Sequence, residues 1–170
     1  MPEKSPIRPT NDEARTLART LIDAARFAAL GVLDPGSQTP MVTRIAMATT
    51  PEGAPLTLVS DLSHHTTALV ADPRCSILVG EPGDKGDALT YPRLTLQCRA
   101  QFIRHGTPEH PTLRAHYLGL HPKAKLYIDF ADFSFAVFAV SAAHLNGGFG
   151  KAFILTPEDL GLDQAPSGGA

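Results

Sequence analysis

The residues best suited to chemistry in this sequence stand in one short run, Ser60-Asp61-Leu62-Ser63-His64-His65-Thr66. The run falls where an apolar strand pattern gives way to a short helical one, so hydroxyls, imidazoles and free backbone N–H groups converge there. The first amides of a helix lack intrahelical partners and the dipole is positive at that end, which suits an anion. Read alone, the run is equally an ordinary helix cap. Arg44 shifts the balance, because a guanidinium inside the apolar run 41–48 (MVTRIAMA) is costly unless it meets an anion. If 41–48 and 56–60 form a hairpin, Arg44 and Ser60 come together, and Arg44, Ser60, His65 and Thr66 make a phosphate pocket. Arg93 and Gln97 form a second polar pair. Their even spacing puts them on one face of the alternating run 93–103, with Leu94 and Leu96 on the other. The plain reading of that pair is the wet face of a strand.

Other chemistries are poorly served. The sequence holds no G-x-S-x-G elbow, no P-loop ending in Gly-Lys-Ser/Thr and no G-x-G-x-x-G between strand and helix. The loop Gly80 to Gly86 is glycine-rich but reads as a hairpin connection between two strands. His105 and His110, like His116 and His121, are five residues apart, a poor spacing for paired ligands on one helix face, so solvated or capping roles and no metal are expected. Cys75 and Cys98, the only cysteines, make neither a disulfide framework nor a zinc cage and read as small core residues.

The elements that must position these residues follow from punctuation and period. In a chain of 170 residues, 43% hydrophobic and 19% charged, one compact domain over 11–160 is expected, between a mobile arm (1–10) and a loose tail (161–170). Thr10 and Glu13 have capping-box spacing, and Leu17, Leu21, Ala24 and Ala28 recur at helical intervals, so a helix is expected from Asn11 to about Arg26. Strands are expected at 27–33, 41–48, 56–60, 75–80, 93–103, 133–140 and 151–155, with a hairpin turn at Pro51-Glu52-Gly53 and short helices at 65–71 and 111–120. Many short strands without βαβ alternation predict a mainly β fold, a β-barrel with flanking helices whose closure removes exposed edges. A net charge of −2 argues against nucleic acid as partner, and no apolar run reaches the ~18 residues of a membrane span. The opening residues carry no hydrophobic signal core, which makes the cytoplasm the expected location.

In their order along the chain these segments resemble a known family. Met41 to Ala48, Leu58-Val59-Ser60-Asp61-Leu62 with His65-Thr66, Asp72-Pro73-Arg74 leading into a strand, and Pro92 to Gln97 are similar to the pyridoxamine 5′-phosphate oxidase-related FMN-binding split barrels. The opening Ala25 to Leu30 and the ending Asn146 to Ala152 resemble one branch, the haem-degrading HugZ-like proteins and their short relatives. The resemblance implies a homodimer with FMN at the subunit interface. It implies that Arg44 holds the flavin phosphate, that the backbone of Ile45, Ala46 and Met47 lies along the ring, and that Val59 and Ser60 line it. His65 and Thr66 fall where phosphate binders occur, and Arg93 where a side chain contacts the flavin.

Two departures bear on function. The true oxidases bind substrate with a C-terminal tryptophan and arginines, and this chain has no tryptophan, so vitamin B6 oxidation is not expected. The haem-degrading members take an iron ligand from a C-terminal loop, whereas residues 151–170 contain no histidine. His144 is the only nearby candidate and reads as a loop residue after the 133–140 strand, so haem binding is expected to be weak or absent. The expected function is an FMN-dependent oxidoreductase acting on a small redox substrate. The alternatives are a haem-binding or haem-degrading protein of HugZ type and a non-catalytic flavin carrier or sensor.

Overall fold

The computed structural model describes residues 5–163. Helix α1 (Asp12–Ala24) leads into β1 (Phe27–Leu33), followed by β2 (Pro40–Ala46), β3 (Ala48–Thr49) and β4 (Pro55–Ser60). Then come α2 (His64–Ala71), β5 (Arg74–Val79), β6 (Arg93–Ile103), α3 (His110–Leu120), β7 (Phe133–Asn146) and β8 (Ala152–Leu155). The strands form one sheet in the order β2-β1-β5-β6-β7-β4-β3, with β8 added to β7. Because β3 follows β2 in the chain, the two ends of that path meet at a single residue, Met47. The sheet is a barrel joined covalently at that corner and open between β2 and β4, so the expected mainly β split barrel is what the chain builds.

The opening arises from a break that the pattern of the sequence does not announce. The run 41–48 is not one strand pairing with 56–60. Its first part pairs with β1 in the register Phe27↔Ala46 to Leu33↔Pro40, and only Ala48 and Thr49 pair with β4. The turn at 51–53 forms as expected, closed by Gly53 N–H to Thr50 O at 2.9 Å and Thr50 N–H to Ala54 O at 2.8 Å. Beyond that corner β4 pairs with β7, from Leu56↔Val137 to Ser60↔Phe133. The edge of β2 that faces β4 therefore has no ladder partner, and closure of the barrel is incomplete.

The inner faces of the strands fill the barrel, and β6 shows the alternation. Leu94, Leu96, Cys98 and Ala100 are buried, while Gln97, Arg99 and Gln101 are exposed. A second cluster covers the outer face of β4 and β7, where Leu56 and Phe135 pack against Leu113 and Tyr117 of α3 and against Ala124 and Ile128. Helix α1 buries Ala14, Ala18 and Ile22, a stripe one step round from Leu17 and Leu21, which sit at its margin. Its cap is Asn11, whose side chain accepts from Ala14 N–H at 2.8 Å, and not the Thr10 box. Thr10 instead donates its hydroxyl to Ile154 O at 3.0 Å, and Ile7 makes an isolated bridge to Ala152, so this stretch of the arm lies along β8. The first four residues of the arm and residues 164–170 of the tail lie outside the described residues. Strand β7 runs six residues past the expected end, because its far half finds partners on both sides, β6 and β8. His144 thus stands on a strand and is not a loop residue.

Candidate functional site

The gap between β2 and β4 forms a depression of about 270 Å³, lined by Arg44, Ile45 and Ala46 on one wall and by Leu58, Val59 and Ser60 on the other. Ser63 and His65 close one end, and Tyr127 and Phe133 supply an aromatic wall. Six of the residues expected at a binding site, Arg44, Ile45, Ala46, Val59, Ser60 and His65, are therefore brought together, although the expected hairpin is confined to β3 and β4 and β2 takes no part in it. They meet because β2 and β4 flank the one unpaired gap in the sheet.

Backbone direction in β2 follows from its ladder with β1. Met47 N–H donates to Arg26 O at 2.9 Å, and Asp34 N–H donates to Thr39 O at 3.0 Å at the other end. Residues alternate in an antiparallel ladder, so Ile45 and Thr43 also turn their backbone toward β1. Arg44 and Ala46 turn theirs toward the split. The Ala46 carbonyl accepts the Thr57 hydroxyl at 2.6 Å, which ties the walls together at the closed end. Of the three residues expected to lay backbone along a ring, only Ala46 presents it to the split. Met47 is fully buried, and its carbonyl accepts from His121 Nε2 at 2.8 Å.

The side chains divide by role. Arg44 is exposed rather than buried in an apolar strand, because β2 is the unpaired margin of the sheet, and its guanidinium carbon lies 5.4 Å from the centroid of Phe27. The desolvation argument for an anion therefore does not hold, but the position beside the split does. His65 is half-buried and its Nδ1 shares a 3.1 Å bond with the Thr43 hydroxyl. Burial, then the neighbouring His64, holds its pKa below the ordinary histidine value. Ser60 donates its hydroxyl proton to Asp132 Oδ2 at 2.6 Å and accepts from Leu62 N–H at 3.1 Å. Its proton is thus committed within the protein.

Three expected residues lie elsewhere. Thr66 sits on the buried face of α2, with its hydroxyl unpartnered among the described residues, and does not line the depression. Arg93 donates to Leu89 O at 3.0 Å and Tyr91 O at 3.3 Å, and Gln97 is exposed further along β6. β6 is separated from β2 by β1 and β5, and from β4 by β7, so one copy of the chain does not bring Arg93 or Gln97 to the split. The histidines of the α3 region are not simply solvated either. His110 is buried and His121 stacks on Tyr117 at 4.9 Å, because this helix covers the outer sheet face. Tyr127, Phe133 and Asp132 were not read from the sequence as site residues. The register Ser60↔Phe133 brings them there, and no local pattern announces a contact such as Ser60–Asp132, 72 residues apart in the chain.

Among known proteins, the non-canonical heme oxygenase HOZ (chloroplastic) of Arabidopsis thaliana is 35% identical over 104 residues, which is 61% of this chain and 30% of that protein. A solved structure described as a heme binding protein from Mycobacterium smegmatis is 31% identical with a TM-score of 0.78, covering 94% of this chain and 63% of its own. The chain thus spans less than two thirds of either relative. A Clostridium acetobutylicum protein of the pyridoxinephosphate oxidase family, related to general stress protein 26, shares the fold at 10% identity, with a TM-score of 0.66 over 89% of this chain and 99% of its own. The family model for the CREG β-barrel matches residues 9–160. That match takes in every strand of the split sheet, and the chain accordingly belongs to the CREG β-barrel family.

Proposed function

We propose that the split between β2 and β4 binds FMN and that the chain is a flavin-dependent oxidoreductase working as a homodimer on a small redox substrate. The observation that carries this reading is that one depression is lined by a guanidinium (Arg44), an imidazole (His65) and the backbone edge of β2 that no strand pairs with. Arg44 and His65 suit a phosphate monoester, since a guanidinium and an imidazole N–H make charge-assisted hydrogen bonds. In the tautomer whose Nδ1 accepts the Thr43 hydroxyl, His65 carries its proton on Nε2 and can donate it to an anion. The outward N–H and C=O of Arg44 and the outward N–H of Ala46 suit the polar rim of a flavin ring; the Ala46 carbonyl is taken by the Thr57 hydroxyl. Tyr127 and Phe133 add aromatic surface for a planar ligand.

The flavin would supply the redox chemistry, and the chain would bind and orient it. Ser60 shapes the pocket and holds Asp132 in place instead of donating to the phosphate. A second copy of the chain would bring Arg93 and Gln97 to the ring. Apoprotein titrated with FMN should quench flavin fluorescence and saturate at one FMN per chain. Turnover of NAD(P)H with an acceptor separates an enzyme from a flavin carrier.

A second reading, haem binding, is favoured by what the Arabidopsis and mycobacterial relatives are described as. Haem propionates are also anions that Arg44 and His65 could hold. His144 stands exposed on β7, opposite Thr95 and Ile154, and does not line the depression. A stoichiometric haem complex whose Soret band is lost in His144→Ala would put this reading first.

A further inference from the structure

Outside the split, two histidine rings pack together beneath the segment that forms its aromatic wall. His105 precedes α3 and His110 opens it, with ring centroids 4.4 Å apart. His110 is 6% exposed and its ring lies 5.2 Å from that of Phe135. Its Nε2 is buried without a hydrogen-bond partner. His105 Nε2 donates to Phe130 O at 3.1 Å. That carbonyl also accepts Phe133 N–H at 3.0 Å, and Phe130 N–H in turn donates to Tyr127 O at 3.0 Å. Tyr127 and Phe133, with rings 5.1 Å apart, line the split. Asp132 in the same segment holds the Ser60 hydroxyl and, through its carbonyl, Asp61 N–H.

We infer that the His105–His110 pair is a proton-operated latch on this wall: neutral His110 keeps residues 130–133 against the split, and protonated His110 lets them go.

A charged His110 would have no acceptor at Nε2 and would face a second imidazole, so the buried position selects the neutral ring. The charged groups around it come from three places: His105 and its chain neighbour Glu109 before the helix, Arg114 one turn along α3, and Asp129 on the segment itself. From β7 its ring meets that of the uncharged Phe135. Burial pushes the His110 pKa down most, His105 and Arg114 push the same way, and Asp129 opposes them. Folded His110 thus binds fewer protons than unfolded His110. The latch is fully stabilising above the ordinary histidine pKa of about 6.5 and weakens as pH falls through the window beneath it. The Arg114–Asp129 pair, Nε to Oδ1 at 2.7 Å and Nη2 to Oδ2 at 2.7 Å, keeps its charges across that window and anchors the start of the segment. Release is therefore confined to the stretch after Asp129.

An effect on cofactor binding rests on the reading proposed above, whereas the latch itself does not. The test is amide hydrogen exchange by NMR on the full chain without cofactor, at about pH 7.5 and about pH 5.5, corrected for the intrinsic pH dependence. Protection of the Phe130 and Phe133 amides should fall at least about fivefold at the lower pH, while that of Met47, at the corner between β2 and β3, is kept. In His110→Phe, which retains a ring against Phe135 but takes no proton, the pH effect at those amides should vanish. Unchanged protection in the wild type, an equal loss in His110→Phe, or an equal loss at Met47 would overturn the latch. Should that variant fail to fold, the wild-type His110 ring and the Phe133 amide must titrate together, and separate titrations overturn it. FMN titrations at the same two pH values form the second arm. A latch seen by exchange with no FMN binding at either pH would leave the latch standing and remove the cofactor reading.

Discussion

Arg44 and Ser60 sit on opposite walls of the same gap, and their hydrogen bonding sets them apart. Among the described residues the Arg44 guanidinium meets no carboxylate and lies over the Phe27 ring, and so is available to an anion. Arg44→Ala should weaken FMN by about 1.5 kcal/mol or more, the loss of one charge-assisted contact, as read by fluorescence titration. Ser60→Ala should leave FMN affinity nearly unchanged. It should still lower unfolding stability by about 1 kcal/mol in a denaturant titration, because Asp132 loses a hydrogen-bond donor. Arg44 was legible as a site residue for a reason the structure does not support. The sequence pattern put it inside a buried strand, and the fold puts it on an unpaired margin. Ser60 was legible by position, but its commitment to Asp132 was not, since that partner arrives through a long-range pairing.

Individual elements were read well wherever local chemistry decides them and less well where tertiary partners do. The alternation in 93–103 and the breaks at Asp34-Pro35-Gly36 and Asp72-Pro73 mark strand and helix limits that the structure keeps. The division of 41–48 at Met47 has no glycine, proline or bulge residue to signal it. It exists because β1 and β4 claim the two parts of the run, and His121 holds the corner by its bond to the Met47 carbonyl. Helix α1 offers a clean check on the capping assignment. Asn11→Ala should destabilise the protein by about 1 kcal/mol, while Glu13→Ala, the other half of the expected box, should cost much less in the same thermal melt. Equal losses would restore the Thr10–Glu13 box.

At the scale of the molecule, the split barrel explains why a binding site can form at all: the gap leaves backbone donors and acceptors in β2 that a fully closed sheet would have used. No helix among the described residues is long and apolar enough to cross a membrane. Arg93 and Gln97 lie too far along the sheet to reach the gap of their own chain. Light scattering at micromolar concentration should therefore give about twice the chain mass of 18.1 kDa. A monomer that binds FMN at full strength would contradict the shared site. The central claim, that Arg44 and His65 hold the phosphate of a flavin in the split, is tested most directly by titrating the same protein with FMN and with riboflavin. FMN should bind at least about tenfold more tightly, one charge-assisted contact in affinity terms, and that preference should shrink sharply in Arg44→Ala, where His65 alone is left to meet the phosphate. Equal affinity for the two flavins in the wild-type chain would contradict it.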